Sequence, residues 1–232
     1  DGILSKGLIK VPHPEKQHSL DLIARLVEEY DVVGLQEVDA GSLRSAFLDQ
    51  TSYLAHRAEF PYWDKQVNRN VGQIAQYSNG FLSRIQPTAV HSHRLPGLPG
   101  RGAILVDFGE GRHSFSVVFL HLALSSRGRQ RQLAFVTDII ASRQHVAVMG
   151  DLNCSTHSDN LRHFLARNGL RDATCGAPTF PSWQPVRKID HVFVSEGLKT
   201  ENPQVVDFPL SDHLPVSVDV VLPFSLEQIK AS

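Results

Sequence analysis

Cysteine is scarce in this chain, with only Cys154 and Cys175 among 232 residues. Two thiols cannot build a disulfide framework, and the scarcity fits a reducing compartment and a cytoplasmic location. No stretch of about 18 apolar residues is available to span a bilayer, so stable membrane insertion is not expected. The start, Asp1-Gly2-Ile3-Leu4-Ser5-Lys6, lacks the basic beginning and apolar centre of a signal peptide. An excess of either charge is missing too. Twenty-three Lys and Arg against 24 Asp and Glu leave a formal net charge of −1, so no global positive field draws in a long polyanion. Zinc spacing of the His-Glu-x-x-His kind is absent, as are repeats, low-complexity tracts and inter-domain linkers. What is present, 41% hydrophobic and 20% charged, suffices for one large core and hence one domain over residues 1–232. No obligate protein partner is evident.

The most informative stretch is Val146-Ala147-Val148-Met149-Gly150-Asp151-Leu152-Asn153. A short apolar run reads as a buried strand, glycine ends it, and an acid and an amide follow one residue apart. Strand alternation would turn Asp151 and Asn153 to one side and Leu152 to the other. A carboxylate can accept a proton from water, and a neutral amide beside it can bond an anionic oxygen without adding repulsion. That pairing suits attack on phosphate. Other apolar runs also end in chemistry-bearing residues: Glu37 closes Asp31 to Glu37, His121 lies within Val117 to Leu122, and Asp190-His191 and Asp212-His213 stand at the edges of two β-rich runs.

Helical spacing of Leu20, Ile23, Leu26 and Val27 predicts a helix over 19–29 with Ser19 as its cap, and a second is expected over 43–56. Residues 65–78 lack an apolar period and read as a loop. Strands are expected over 80–83, 88–94, 103–108, 114–122, 188–194, 204–207 and 214–222, with helices around Arg131 to Ile140 and Leu161 to Asn168. Strands outnumber helices and many sequence neighbours can pair antiparallel. The expected fold is therefore α/β, a two-sheet, mainly antiparallel sandwich with outer helices. Asn79, before the 80–83 strand, and Arg131, in the basic run after His121, are candidate phosphate contacts.

The ordered blocks QEV, HL, GDLN, IDHVFVS and SDHLPV resemble those of the endonuclease/exonuclease/phosphatase superfamily, whose fold is DNase I-like, from about residue 20 to residue 222. The resemblance implies a metal-dependent phosphohydrolase with Mg²⁺ as cofactor and Mn²⁺ as substitute, since hard cations prefer oxygen ligands. Glu37 and Asp212 are then the metal ligands. Asp151 aligns or deprotonates the attacking water, and Asn153 orients that water or holds a phosphate oxygen. His213 bonds the phosphate while Asp190 holds its other ring nitrogen, and His121 contacts the phosphate from the opposite side. Superfamily members open with a strand bearing a site asparagine. Nothing in 1–14 resembles it, so that strand is expected to be lacking.

A phosphodiesterase, nuclease-like, acting on a phosphate ester or on nucleic acid, is the expected activity. For a nuclease groove Arg69, Arg101, Arg127, Arg129 and Arg187 are scattered candidates. The alternatives are a phosphomonoesterase, a sphingomyelinase-type lipid phosphodiesterase and a binding protein with a decayed site. The lipid enzyme would need an exposed apolar loop, for which Phe60, Tyr62 and Trp63 form the one candidate cluster.

Overall fold

The computed structural model describes residues 14–39, 49–71, 75–97 and 99–230. In chain order, α1 (Pro14–Val27), β1 (Val32–Asp39), α2 (Gln50–Arg57), β2 (Tyr62–Val71) and β3 (Ala75–Ser83) come first. Next are β4 (Ala89–Arg94), β5 (Gly102–Phe108) and β6 (Phe115–His121), then α3 (Ser126–Ile140), β7 (Val146–Asp151), α4 (Asp159–Asn168) and β8 (Leu170–Asp172). The chain finishes with β9 (Asp190–Ser195), β10 (Lys199–Val205), β11 (Val216–Val221) and α5 (Leu226–Lys230).

Period-two alternation builds the centre. In the six-stranded sheet, ordered β4-β5-β6-β7-β9-β8, every pair is antiparallel except β6 and β7. Leu105, Val118, Leu120, Val148 and Phe193 face one way and pack under Leu133, Val136 and Ile140 of α3 and Leu161 and Phe164 of α4. Ile104, Val106, Val117, Phe119, Val192 and Val194 face the other way. They meet Phe81 of the three-stranded sheet β1-β3-β2 and Val216, Val218 and Val220 of the β10-β11 ribbon. Leu82, on the outer face of the three-stranded sheet, packs under Leu20, Ala24 and Val27 of α1 and Leu54 and Ala55 of α2. The expected α/β sandwich with outer helices is thus observed, its second sheet divided into a three-stranded piece and a two-stranded ribbon.

Several local expectations are corrected. Residues 65–78 belong largely to an antiparallel pair, β2 and β3, not to a loop. Its inward positions carry Gln66 and Asn79, both buried, so polar side chains occupy the places where an apolar period would have been read. The first helix begins at Pro14, which puts Ser19 inside it and not at its cap. The second helix begins at Gln50; the part expected over 43–48 and the N-terminal segment 1–13 lie outside the described residues. Phe60 is 4% exposed and Trp63 packs against the α1-α2 core, so this cluster is not the apolar loop a lipid enzyme would need. Among the described residues no helix is long and apolar enough to cross a membrane. Both cysteines are free.

Candidate active site

The last residues of β6 and β7 and the first residue of β9 bring three side chains into one row at one end of the sheet. His121 pairs with Asp151 in the parallel ladder, and Asp151 pairs with Asp190 in the antiparallel one. All three lie on the face that looks into the sandwich, because their strands alternate Val117, Phe119, His121; Ala147, Met149, Asp151; and Asp190, Val192, Val194. They are 5, 5 and 9% exposed. Buried polar groups need partners, and here each has one.

His121 places Nε2 at 3.2 Å from Asp151 Oδ2 and Nδ1 at 2.9 Å from an Arg101 guanidinium nitrogen. Arginine can only donate, so Nδ1 accepts and Nε2 carries the proton that it donates to Asp151. Asp151 Oδ1 accepts the backbone N–H of Asn153 at 2.8 Å. Burial pushes the Asp151 carboxyl up, yet the His121 hydrogen bond and the Asn153 N–H outweigh it and hold the group below the usual carboxylate value. Asp151 is therefore an ionised acceptor at neutral pH.

Asn153 reaches the site by a different route from the one expected. Strand β7 ends at Asp151, and Asn153 takes a left-handed conformation, φ 54°. Its N–H turns back onto Asp151, and its Nδ2 donates to Leu122 O at 2.9 Å. The turn, not strand alternation, sets the two residues together. Leu152 is fully buried on the helix side, as alternation predicted.

From the loop before β11, His213 donates through Nδ1 to Asp190 Oδ2 at 2.8 Å, and the same oxygen accepts the Thr179 hydroxyl. Phe180 lies against the imidazole with ring centroids 4.8 Å apart. Burial alone would push the His213 pKa down, but the hydrogen bond and charge of Asp190, with the charges of Asp151 and Asp212, outweigh it and raise it. The proton on Nδ1 is thus held by Asp190, leaving Nε2 as a second donor when the ring is charged. His191 points to the opposite face, fully buried, with Nε2 at 2.9 Å from Cys154 O. Cys154 is buried too, and burial pushes its thiol up, away from the thiolate a nucleophile needs.

Glu37 comes from the other sheet. The β1-β3 register slips between Leu35 and Val38, and Gln36 and Glu37 fall in that bulge. Gln36 spans the sandwich: Nε2 donates to Leu120 O at 3.0 Å and Oε1 accepts Asp151 N–H at 2.9 Å. Glu37 follows with φ 52° and is 58% exposed, Oε1 3.6 Å from both His121 Nδ1 and Arg101. Glu37, Arg101 and His121 line a cleft of about 290 Å³ together with Asn68, Ser78 and Asn79.

Three candidates stand apart from the paired row. Arg131 is exposed on α3 and absent from the described cleft lining. Asn79 lines the cleft but spends its Nδ2 on Gly102 O at 3.0 Å. Asp212 is exposed beside His213, with Oδ1 accepting the Ser211 hydroxyl at 3.1 Å. Gln36 is a site residue that the sequence reading passes over, and Arg101 enters that reading as one of five scattered groove arginines. Gln36 stands beside Glu37 in the QEV block, and Arg101 is the sole polar residue in the turn from Leu95 to Gly102, which was the available signal.

Among the described residues no three His, Cys, Asp or Glu side chains form a ready metal cage. Glu37 is the acid among the described cleft residues, open to solvent, with the Arg101 guanidinium and the His121 imidazole each 3.6 Å from its Oε1. One or two carboxylates with room for water and substrate oxygens fit Mg²⁺, which keeps much of its hydration.

Among solved structures, an endonuclease/exonuclease/phosphatase from Beutenbergia cavernae superposes with a TM-score of 0.75 at 24% identity, over 88% of this chain and 66% of that one. A mannosyl-6-phosphatase of Bacteroides thetaiotaomicron gives 0.70 at 17% identity, over 89% and 91%. Sphingomyelinase C from Streptomyces griseocarneus gives 0.63 at 19%, over 88% and 91%. These identities establish a shared fold, which is DNase I-like. No curated protein sequence matches the chain. The model of the Endonuclease/Exonuclease/phosphatase family matches residues 11–213, and with that span of sequence the chain belongs to this family.

Proposed function

We propose that the chain is a Mg²⁺-dependent phosphodiesterase, with Mn²⁺ as a substitute, acting by in-line attack of water without a covalent enzyme intermediate. The observation that carries this reading is the paired row His121, Asp151 and Asp190 with His213 bonded to its end. Family membership and neighbours named as a phosphatase and a sphingomyelinase support phosphoester hydrolysis as the reaction class.

Asp151, ionised and fixed by two hydrogen bonds, orients the attacking water and takes its proton. His121 positions Asp151 and Arg101, since both its nitrogens are engaged between them. His213 donates to a phosphate oxygen, where charge builds in the transition state, and Asp190 keeps it oriented. Asn153 holds the water or an oxygen beside Asp151. Glu37, with Asp212 as second ligand, would hold the metal, which when bound neutralises charge on the phosphate oxygens. A diester carries a single negative charge and a monoester up to two. One guanidinium, Arg101, stands in the described cleft lining, which favours the diester. Arg127 and Arg187 are exposed outside that lining.

The test is hydrolysis of bis-p-nitrophenyl phosphate and p-nitrophenyl phosphate with Mg²⁺, Mn²⁺ or EDTA. The expected result is metal-dependent turnover, faster on the diester, that drops by about 10²–10⁴-fold in Asp151→Ala. Turnover insensitive to EDTA or to that substitution would overturn the mechanism. None at all would favour a binding protein.

A further inference from the structure

The cleft beyond His121 has its own chemistry. Apart from Pro99, its described lining offers no aliphatic side chain, and its aromatic ring, the His121 imidazole, is 5% exposed and held at both nitrogens, which leaves no open face for stacking. A nucleobase needs a stacking partner and an acyl chain needs an apolar wall, and neither is offered. At about 290 Å³ the space is at the small end for a ligand site.

Two amides, Asn68 and Asn79, line the cleft. Gln66 pairs with Asn79 across the β2-β3 ladder, whose register slips between Val67 and Arg69, so Asn68 sits at a bulge outside the pairing. Gln66 Oε1 and Asn68 Oδ1 converge over Gly102: a Cβ added there would stand 2.1 and 2.0 Å from them. Both oxygens are buried and without a hydrogen-bond partner among the described residues, and Gln66 is 8% exposed. An unsatisfied buried acceptor is costly. Asn68, which also lines the cleft, can rotate about its soft terminal torsion to present that oxygen to a ligand without giving up a hydrogen bond of the oxygen. Any side chain at residue 102 would fill the space between the two amides.

We infer that this cleft holds the alcohol esterified to the phosphate and selects a small, neutral, hydroxyl-rich one, a polyol or single sugar, over an apolar or aromatic one. Asn68 accepts from a substrate hydroxyl, and Gln66 supports it from behind. The placing of the phosphate next to His121 rests on the phosphodiesterase reading above.

A matched pair of probes isolates the hydroxyls: bis-glycerol phosphate and dipropyl phosphate are diesters of equal charge with three-carbon groups. Each is titrated into the full chain in EDTA, so that turnover does not intervene, and followed by protein NMR shifts. The polyol diester is expected to bind about tenfold more tightly, as one or two added hydrogen bonds provide. Asn68→Leu should shrink that ratio to below about threefold. The same spectra report folding, and Asn68→Ala replaces the leucine variant if the bulge does not tolerate it. Equal or tighter binding of dipropyl phosphate, a ratio unchanged in the folded variant, or binding of neither probe overturns the inference. Hydrolysis of bis-p-nitrophenyl phosphate is read separately. Absent turnover with the preference intact would sink the hydrolase reading and leave the polyol subsite standing.

Discussion

Glu37 and Asn153 both hold positive φ, 52° and 54°. Asparagine tolerates the left-handed region, but glutamate there stores on the order of 1–3 kcal/mol unless its surroundings enforce it. The enforcement is visible one residue away, where the Gln36 carboxamide is bonded to two backbone groups of the opposite sheet. His213 is fixed in a comparable way, with Asp190 on Nδ1 and Phe180 on its face. If its free nitrogen donates to the phosphate in the transition state, His213→Ala should lower kcat/KM on the activated diester by about 10²–10³-fold, as loss of a preorganised donor does. Steady-state kinetics at neutral pH reads this directly, and a variant within twofold of the parent would remove His213 from the mechanism.

At the scale of elements, the site depends on how closely β1 approaches the β6-β7 pair. Gly150 sets that distance: with φ 144°, a Cβ would lie 1.9 Å from Leu120 O and 2.2 Å from Gln36 Nε2. Gly150→Ala should therefore expel the Gln36 amide, leave Leu120 O and Asp151 N–H unpaired, and cost about 1–3 kcal/mol for each. Glu37 and Asp151 would shift together. The expected outcome is a lowered urea midpoint with kcat/KM reduced at least as much as in Gln36→Leu, and a variant as stable and active as the parent would show that the clamp is dispensable. The same approach explains what the sequence could convey. His121 and Asp151 close apolar strands and Asp190 opens one, so strand periodicity puts each at a strand end, and the ordered family blocks point to their meeting. The β2-β3 pairing and its amides escaped because polar residues occupy its inward face. Gln36 escaped because its role is in the register slip of β1 and in contacts 84 and 115 residues distant along the chain, which no local pattern encodes.

Across the whole molecule, two helix layers enclose two β layers, and the carboxylates away from the site act as ties between elements. Asp107 on β5 receives Arg143 Nε at 2.8 Å and Nη2 at 2.7 Å from the segment after α3, and the Ser116 hydroxyl at 2.5 Å from β6. Burial pushes Asp107 up, but the Arg143 and Ser116 hydrogen bonds outweigh it and leave its pKa below the ordinary value. Asp172 on β8 is held low in the same manner, with burial opposed by Lys188 and Thr174. A carboxyl whose folded pKa lies below its unfolded one contributes stability above the unfolded value, and that contribution is lost as pH falls through the folded value. Both ties therefore weaken below about pH 4, where an unfolded aspartate begins to protonate. Arg143→Leu should cost about 1–2 kcal/mol at neutral pH, the low end for a charged hydrogen bond because the pair is about one-fifth exposed. The gap between parent and variant should then narrow toward about pH 3, since the variant no longer holds Asp107 low and has less to lose. Urea denaturation at the two pH values tests this, and a gap that stays constant or widens in acid would show that the Arg143 pair does not tie α3 to the sheet in the way its geometry implies.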